Sequence, residues 1–419
     1  MIASRLNSFN GINLIVSNFP LGAEAAVTQS TDTFALLSVA SEMWGLKHNI
    51  KLHCFEKSFS QDAKDAYLMG GVDFGVYFNS CIVDVENNPL NYVDAQITTA
   101  TNIRNGKKPS VLSYGCGKQS YVDLMKPYFL GGRNSNHGNN TNDGFIDYNN
   151  SLTHNDFITR DSTTRFGYYT PVVGTGNASG TLSEGLAYVQ SEINRAYNVN
   201  GWYTDFLHWH WLDNTDYLEQ HLENIRNSIG VKNIYSGSYS DLVEYFYVKN
   251  SISRIIFNNL TVKINYNKKQ STADYSLVSM PLYFELDLSN TDLSGKFIKT
   301  NGNDKVLSLG NDKYIIETYL DYSNTSKSIS VSEEVNSNNY INLSTPIVSE
   351  NNGVITSDQP IKITLFSKDL AQNEYDVVIE ERELTLNTSH NLSTSFSPSK
   401  NYYVGYINEF GVSGLLPIL

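Results

Sequence analysis

Up to about residue 250 the chain alternates short apolar runs with segments whose apolar residues recur at helical spacing. The runs "NLIVSNF" (13–19), "IKLHCF" (50–55), "FGVYFNS" (74–80) and "SVLSYG" (110–115) are β-branched or aromatic and predict strands. After Asp32, the segment "TFALLSVASEMWGL" sets Phe34, Leu37, Ala40 and Trp44 on one helical face. A short helix, "DAKDAYLM", stops at Gly70 and Gly71. Two later helices carry end signals. Thr181 and Glu184 form a capping box ahead of Leu186, Val189, Ile193 and Tyr197. Leu218, Leu222, Ile225 and Ile229 make a stripe closed by Gly230. "NIYSGSY" and the helix "DLVEYFYVKN" end the series. Strands alternating with helices predict an α/β part with a parallel sheet or barrel over 1–251. Between Gly131 and Gly180 the pattern dissolves into Asn- and Gly-rich text, which predicts an irregular insertion near 131–180, packed over one end of that part.

Beyond residue 252 helical spacing gives way to short alternating runs such as "RIIFNNLTVKINY", "KYIIETYLDY", "PIKITLFS" and "NYYVGYINEFG". Their turns are rich in Asn, Asp and Gly. Strands at this spacing predict two small β-sandwich modules, 252–337 and 338–419, parted at "SEEVNSNNY". The fold class expected is therefore multidomain, α/β plus all-β.

Composition narrows the partners. A formal charge of -13 argues against nucleic acid, which needs a basic surface, and against an anionic membrane face. No apolar run approaches the ~18 residues of a membrane span. The 28 tyrosines and abundant Asn suit a surface that touches sugars, since aromatic faces cover a pyranose and amides satisfy its hydroxyls; an AT-rich genome would bias composition the same way. Cys54, Cys81 and Cys116 are far apart and odd in number, so no disulfide framework is read. No secretory signal is read in "MIASRLNSFNGINLIV".

The densest chemistry lies in "GWYTDFLHWHWLDN", 201–214. On a strand, His208 and His210 would share one face and Trp209 and Trp211 the other. Two imidazoles at that spacing could bind one metal ion, with Asp32 or Asp213 supplying a carboxylate, or could be one core histidine and one pocket histidine. Trp202 and Trp211, at the ends of the stretch, are candidate sugar-stacking platforms.

"SVLSYGCGKQSYVDLMKPYFLGGRNSN", 110–136, is a strand ending in an aromatic-Gly-x-Gly turn, then a helix, then Gly-Gly-Arg. It resembles the third motif of the polysaccharide deacetylase (NodB-like) family, with Ser113, Tyr114, Gly115, Cys116 and Gly117 at the turn and Arg133 at the next strand. The Arg and Pro of the family's turn are absent. Of the first motif's two aspartates only Asp32 has a counterpart. "GGVDFGVYFNS", where the family's His-x-x-x-His belongs, has no histidine and offers Tyr77, Asn79 and Ser80. "DFLHWHW" is similar to the late Leu-His motif. The resemblance spans about 10–250 and implies a distorted (β/α) barrel with eroded metal ligands.

From that resemblance, Asp32 and Arg133 are the catalytic candidates, and His208 and His210 the metal candidates should an ion be retained. Tyr114, Trp202 and Trp211 are the glycan-binding candidates. No cofactor is expected; zinc is the ion that family would imply. The leading expectation is a virion-surface, bacteriophage tail-associated protein that recognises host surface polysaccharide. It would be cytoplasmic during assembly, would bind other virion proteins, and would gain avidity as a homo-oligomer. The alternatives are an active metal-dependent carbohydrate esterase and a purely structural virion protein.

Overall fold

The computed structural model describes residues 7–9, 12–32, 38–78, 88–114, 122–125, 127–134, 145–146, 182–206, 216–258, 260–267, 280–335, 340–370 and 377–418. Two short strands open the chain, β1 (Asn7–Phe9) and β2 (Ile12–Val16). The α/β series follows as β3 (Ala25–Asp32), α1 (Ser38–His48), β4 (Leu52–Glu56), α2 (Gln61–Met69), β5 (Val72–Phe78) and α3 (Pro89–Ile103). It continues with β6 (Val111–Tyr114), α4 (Val122–Met125), β7 (Gly131–Asn134) and β8 (Phe145–Ile146). Then come α5 (Leu182–Asn198), β9 (Trp202–Phe206), α6 (Asp216–Ile229), β10 (Ile234–Gly237) and α7 (Tyr239–Ser251).

Strands β7-β6-β5-β4-β3-β9 run parallel in that order, with β8 antiparallel on β9 and β10 parallel on the first half of β3. The sheet is a half-barrel. Its curl is shown by Arg133 on edge strand β7, whose guanidinium carbon lies 4.8 Å from the ring centre of Phe55 on β4. The distorted barrel of expectation is a curled, open parallel sheet, and among the described residues no pairing joins β7 to β8. Gly131 to Asn134, assigned from sequence to the irregular insertion, form the edge strand β7 instead.

The central strands β3, β4 and β5 are buried on both faces, as a parallel sheet covered on two sides requires. On the convex face Val27, Cys54 and Phe74 meet α1, α2, α5 and α6 through Met43, Ala66, Ile193 and Leu222. On the concave face Ala26, Phe55 and Trp202 meet α7 through Tyr239 and Phe246. Gly75 of β5 keeps that face open: a Cβ there would stand 2.8 Å from the Phe55 ring and 2.9 Å from His53 Nε2. Helix α7 is buried on nearly every side, because the sheet packs on one flank and an antiparallel module on the other. Its start is fixed by a capping box in which Ser238 and Asp241 satisfy each other's backbone N–H groups.

The antiparallel strands are β11 (Ile252–Asn258), β12 (Thr261–Tyr266), β13 (Leu282–Asp287), β14 (Phe297–Thr300), β15 (Lys305–Gly310), β16 (Lys313–Thr318) and β17 (Ser326–Glu334). They form two sheets, β1-β2-β13-β16-β15 and β11-β12-β17-β14, which share one apolar core. Residues 13–19 therefore do not open the α/β series: β2 pairs antiparallel with β13, Leu14 opposite Leu286. Period-two hydrophobicity identifies a strand but not the sheet it joins.

The last strands are β18 (Val348–Asn351), β19 (Val354–Asp369), β20 (Val377–Asn391), β21 (Lys400–Asn408) and β22 (Ser413–Ile418). They make a single sheet rather than the expected second sandwich. The reason lies in β19, whose pairing with β20 shifts register between Thr356 and Ile361. A bulge bends a strand. The sheet gathers Ile355, Ile363, Leu365 and Val404 into its own small core, and gives its other face, through Phe366 and Ile407, to α1. One further sheet layer is not needed.

Candidate functional site

In parallel α/β sheets ligands bind beyond the carboxyl ends of the strands. That rim is defined here by Asp32, Phe78, Tyr114, Asn134 and Phe206, the last residues of β3, β5, β6, β7 and β9. The segments that follow them, 33–37, 79–87, 115–121, 135–144 and 207–215, lie outside the described residues. With them go His208, His210 and Trp211 and the side chains of Asp32 and Tyr114.

What the backbone fixes is where these positions start. Asp32 is level with Phe55 across β3 and β4, and Arg133 is level with Ser113 across β6 and β7. Arg133 is fully buried and stacks over the ring of Phe55, so position 32 and Arg133 converge on the same residue. Across β3 and β9, Ser30 is level with Phe206, where β9 ends. Tyr114 ends β6 level with Asn134. Of the candidates, position 32, Tyr114 and Arg133 lie toward the carboxyl ends of β3, β6 and β7, and Trp202 does not.

Trp202 requires a correction. It is 0% exposed on the concave face, 5.2 Å from the ring centre of Tyr239, and its indole N–H donates to Thr28 Oγ1 at 3.0 Å. It is a core residue, not a stacking platform. A half-buried strand would expose one face, whereas this sheet is covered on both.

His53 also lies on the concave face, between the rings of Phe55 and Tyr239. Burial pushes its imidazole down to about 3, and neither ring nitrogen has a hydrogen-bond partner among the described residues. On the convex side a second histidine, His221 of α6, is bound by Asp205 at 2.5 Å and Gln29 at 2.9 Å. Tyr203 donates to the other oxygen of Asp205 at 3.1 Å. Packed between sheet and helices, that cluster ties α6 to β3 and β9.

The polar centre that sequence reasoning missed sits at the opposite, amino-terminal end of the strands. Asp73, at the start of β5, accepts from Arg104 Nε at 3.1 Å, from Ser238 Oγ at 3.1 Å and from the Ser240 hydroxyl. Burial alone would raise its carboxyl, but Arg104 and Lys51 outweigh burial and hold it well below the usual carboxylate range. Asp241 of α7 accepts both from Lys51, at 2.9 and 3.1 Å, and from the Ser238 N–H at 2.9 Å. Glu244, one turn on, faces Arg104 and Lys107 at 3.9 Å each. Three anions and three cations neutralise one another here, locking α7 to the sheet edge. No local spacing could have revealed pairs 31 and 190 residues apart.

Whether the residues present fit zinc turns on the rim. Among the described residues no group of three or more His, Cys, Asp or Glu could hold a metal ion.

Neither a protein-family pattern nor a curated protein matches the chain. Among solved structures it is similar to one described as "Crystal structure of putative polysaccharide deacetylase from Mycobacterium smegmatis", at 11% identity and a TM-score of 0.41, covering 58% of this chain and 97% of that one. A likeness this loose carries no argument; the fold rests on the strand pairing above.

Proposed function

We propose that this chain recognises a polysaccharide at the carboxyl rim of its curled parallel sheet. The observation that supports this reading is that β3 and β9 end side by side at the carboxyl rim, next to β4, whose Phe55 ring is covered by the buried guanidinium of Arg133 from edge strand β7. Asp32, Tyr114, His208, His210 and Trp211 are the donors, acceptors and stacking faces this reading assigns to the glycan. We place this recognition on a virion surface, in a tail-associated component whose β-modules attach it and whose copies add avidity to weak sugar contacts.

A second reading is a carbohydrate esterase, favoured by β3 and β9 ending side by side, each just ahead of a candidate site residue in the sequence. In that reading Asp32 takes the proton of an attacking water and His208 or His210 binds the ion or acts as acid. Glycan-array binding that survives chelation supports recognition. Stoichiometric zinc and acetyl release from acetylated glycans, both lost in His208→Ala/His210→Ala, would replace it with the esterase. Antibody labelling of intact particles tests the virion setting, and an absence of label on them refutes it.

A further inference from the structure

A cavity of about 690 Å³ opens at the amino-terminal end of the parallel strands, on the side of the sheet away from the carboxyl rim. Its size falls within the range of small-molecule sites, and it lies where all three parts of the chain meet, a preferred place for such sites. The sheet contributes the edge residues Lys51, Asp73, Arg104 and Tyr235; the two-sheet module contributes Tyr283, Leu309 and Tyr319; the last sheet contributes Phe410.

Most charges of this cavity are matched, and the remaining one, Arg226, stands exposed to solvent. Lys51 pairs with Asp241, Arg104 with Asp73, and Lys305 with Glu409 at 3.7 Å, while Tyr283 donates to Glu317 at 3.0 Å. At Lys51, Arg104 or Lys305 an ionic ligand would have to break such a pair and leave a charge stranded, which is costly. Its apolar surface is not covered to the same degree. Tyr319 is 53% exposed and Leu309 54% exposed, and both line the cavity. A hydrocarbon ligand would cover them but strand the phenol and carboxylate oxygens of the floor. A molecule with flat apolar faces and a rim of neutral hydroxyls satisfies both.

We propose that this cavity is a second binding site, for a neutral oligosaccharide, with Tyr319 as the stacking face and the Tyr283–Glu317 and Tyr235–Asp241 pairs as hydroxyl partners. The proposal does not depend on the rim: the two sites lie at opposite ends of the strands.

The test is titration calorimetry of the full chain with chitotriose, cellotriose and maltotriose. Tyr319→Ala removes an exposed side chain, and Leu309→Trp narrows the cavity from an equally exposed position. Each is expected to weaken binding of at least one trisaccharide roughly tenfold, the effect of losing one contact worth about 1.4 kcal/mol. Trisaccharide binding that persists in His208→Ala/His210→Ala/Trp211→Ala places it away from the rim, and near-UV circular dichroism should match wild type in all variants. If none of the three sugars binds, or if both cavity variants bind as wild type does, the proposal is overturned. Loss confined to the rim variant would overturn it while upholding recognition at the rim. Loss confined to the cavity variants would uphold it and leave recognition at the rim to the glycan array.

Discussion

His53 shows what a single buried group does to the whole chain. Its ring is neutral in the fold, with its pKa pushed by burial to about 3 from an ordinary value of 6.5. Between those limits the unfolded chain binds a proton that the folded chain does not, so stability rises with pH and is lost as pH falls from about 6.5 toward 3. The slope for one such group is about 1.4 kcal/mol per pH unit. His48, lowered to about 4, adds to it in the same direction. We expect His53→Leu to shift less between pH 7 and pH 5 in urea denaturation than wild type; an unchanged slope would refute the assignment. Asp73 acts through pairing. Asp73→Ala strands Arg104 and should cost about 3–5 kcal/mol, whereas Asp73→Leu/Arg104→Met should recover much of that loss, because removing both charges removes the desolvation problem. Equal loss in the single and double variants, read from denaturant midpoints, would contradict this. Neither residue was legible as important. Asp73 stands in "GGVDFGVYFNS" as one polar residue within an apolar run, and its partners come from α3's end and α7's start.

Elements with strong periodicity were legible, and those held by distant partners were not. The stripes of α5 and α6 appear in the structure as Val189, Ile193, Leu218 and Leu222 against the sheet. Helix α3 went unread because its buried set is sparse, Val93, Ala100 and Ile103 among threonines, with Pro89 at its first turn as the main signal. The seat of the last sheet was equally hidden. Glu42 of α1, 1% exposed, receives both guanidinium nitrogens of Arg382 of β20 at 2.6 Å. Gly405 of β21 lets α1 approach: a Cβ there would stand 2.8 Å from Leu46 Cδ1 and 2.7 Å from the Phe366 ring. Arg382→Ala leaves Glu42 buried and alone, so we expect a loss of about 3–5 kcal/mol. Gly405→Ala should cost about 1–3 kcal/mol through overpacking. Because the two act on one contact, their double variant should fall short of the sum. Strict additivity would mean that the sheet does not dock through this seam.

At the scale of the whole molecule, length and pattern suggested three separable parts, and packing joins them. One core runs from Phe55, Val111 and Trp202 of the parallel sheet through Tyr245 and Phe246 of α7 to Phe284 and Ile329 of the antiparallel sheets. A second runs from Met43 and Leu46 of α1 to Phe366 and Ile407 of the last sheet. Each part therefore lends residues to a neighbour's interior, and β2, early in the chain, completes a sheet built mainly from residues beyond 280. Independent unfolding of any part would strip apolar surface from another, at a cost of about 25 cal/mol for each Å² exposed. Pairing over such sequence distances also makes folding slow and intermediates exposed. We expect a single calorimetric transition for the intact chain, with calorimetric and van't Hoff enthalpies in agreement. A fragment of 252–337 should remain unfolded, since it lacks both β2 and α7. Two resolved transitions, or a fragment with dispersed amide resonances, would show that the shared cores are contacts between parts already folded, and that the cavity among them is free to open.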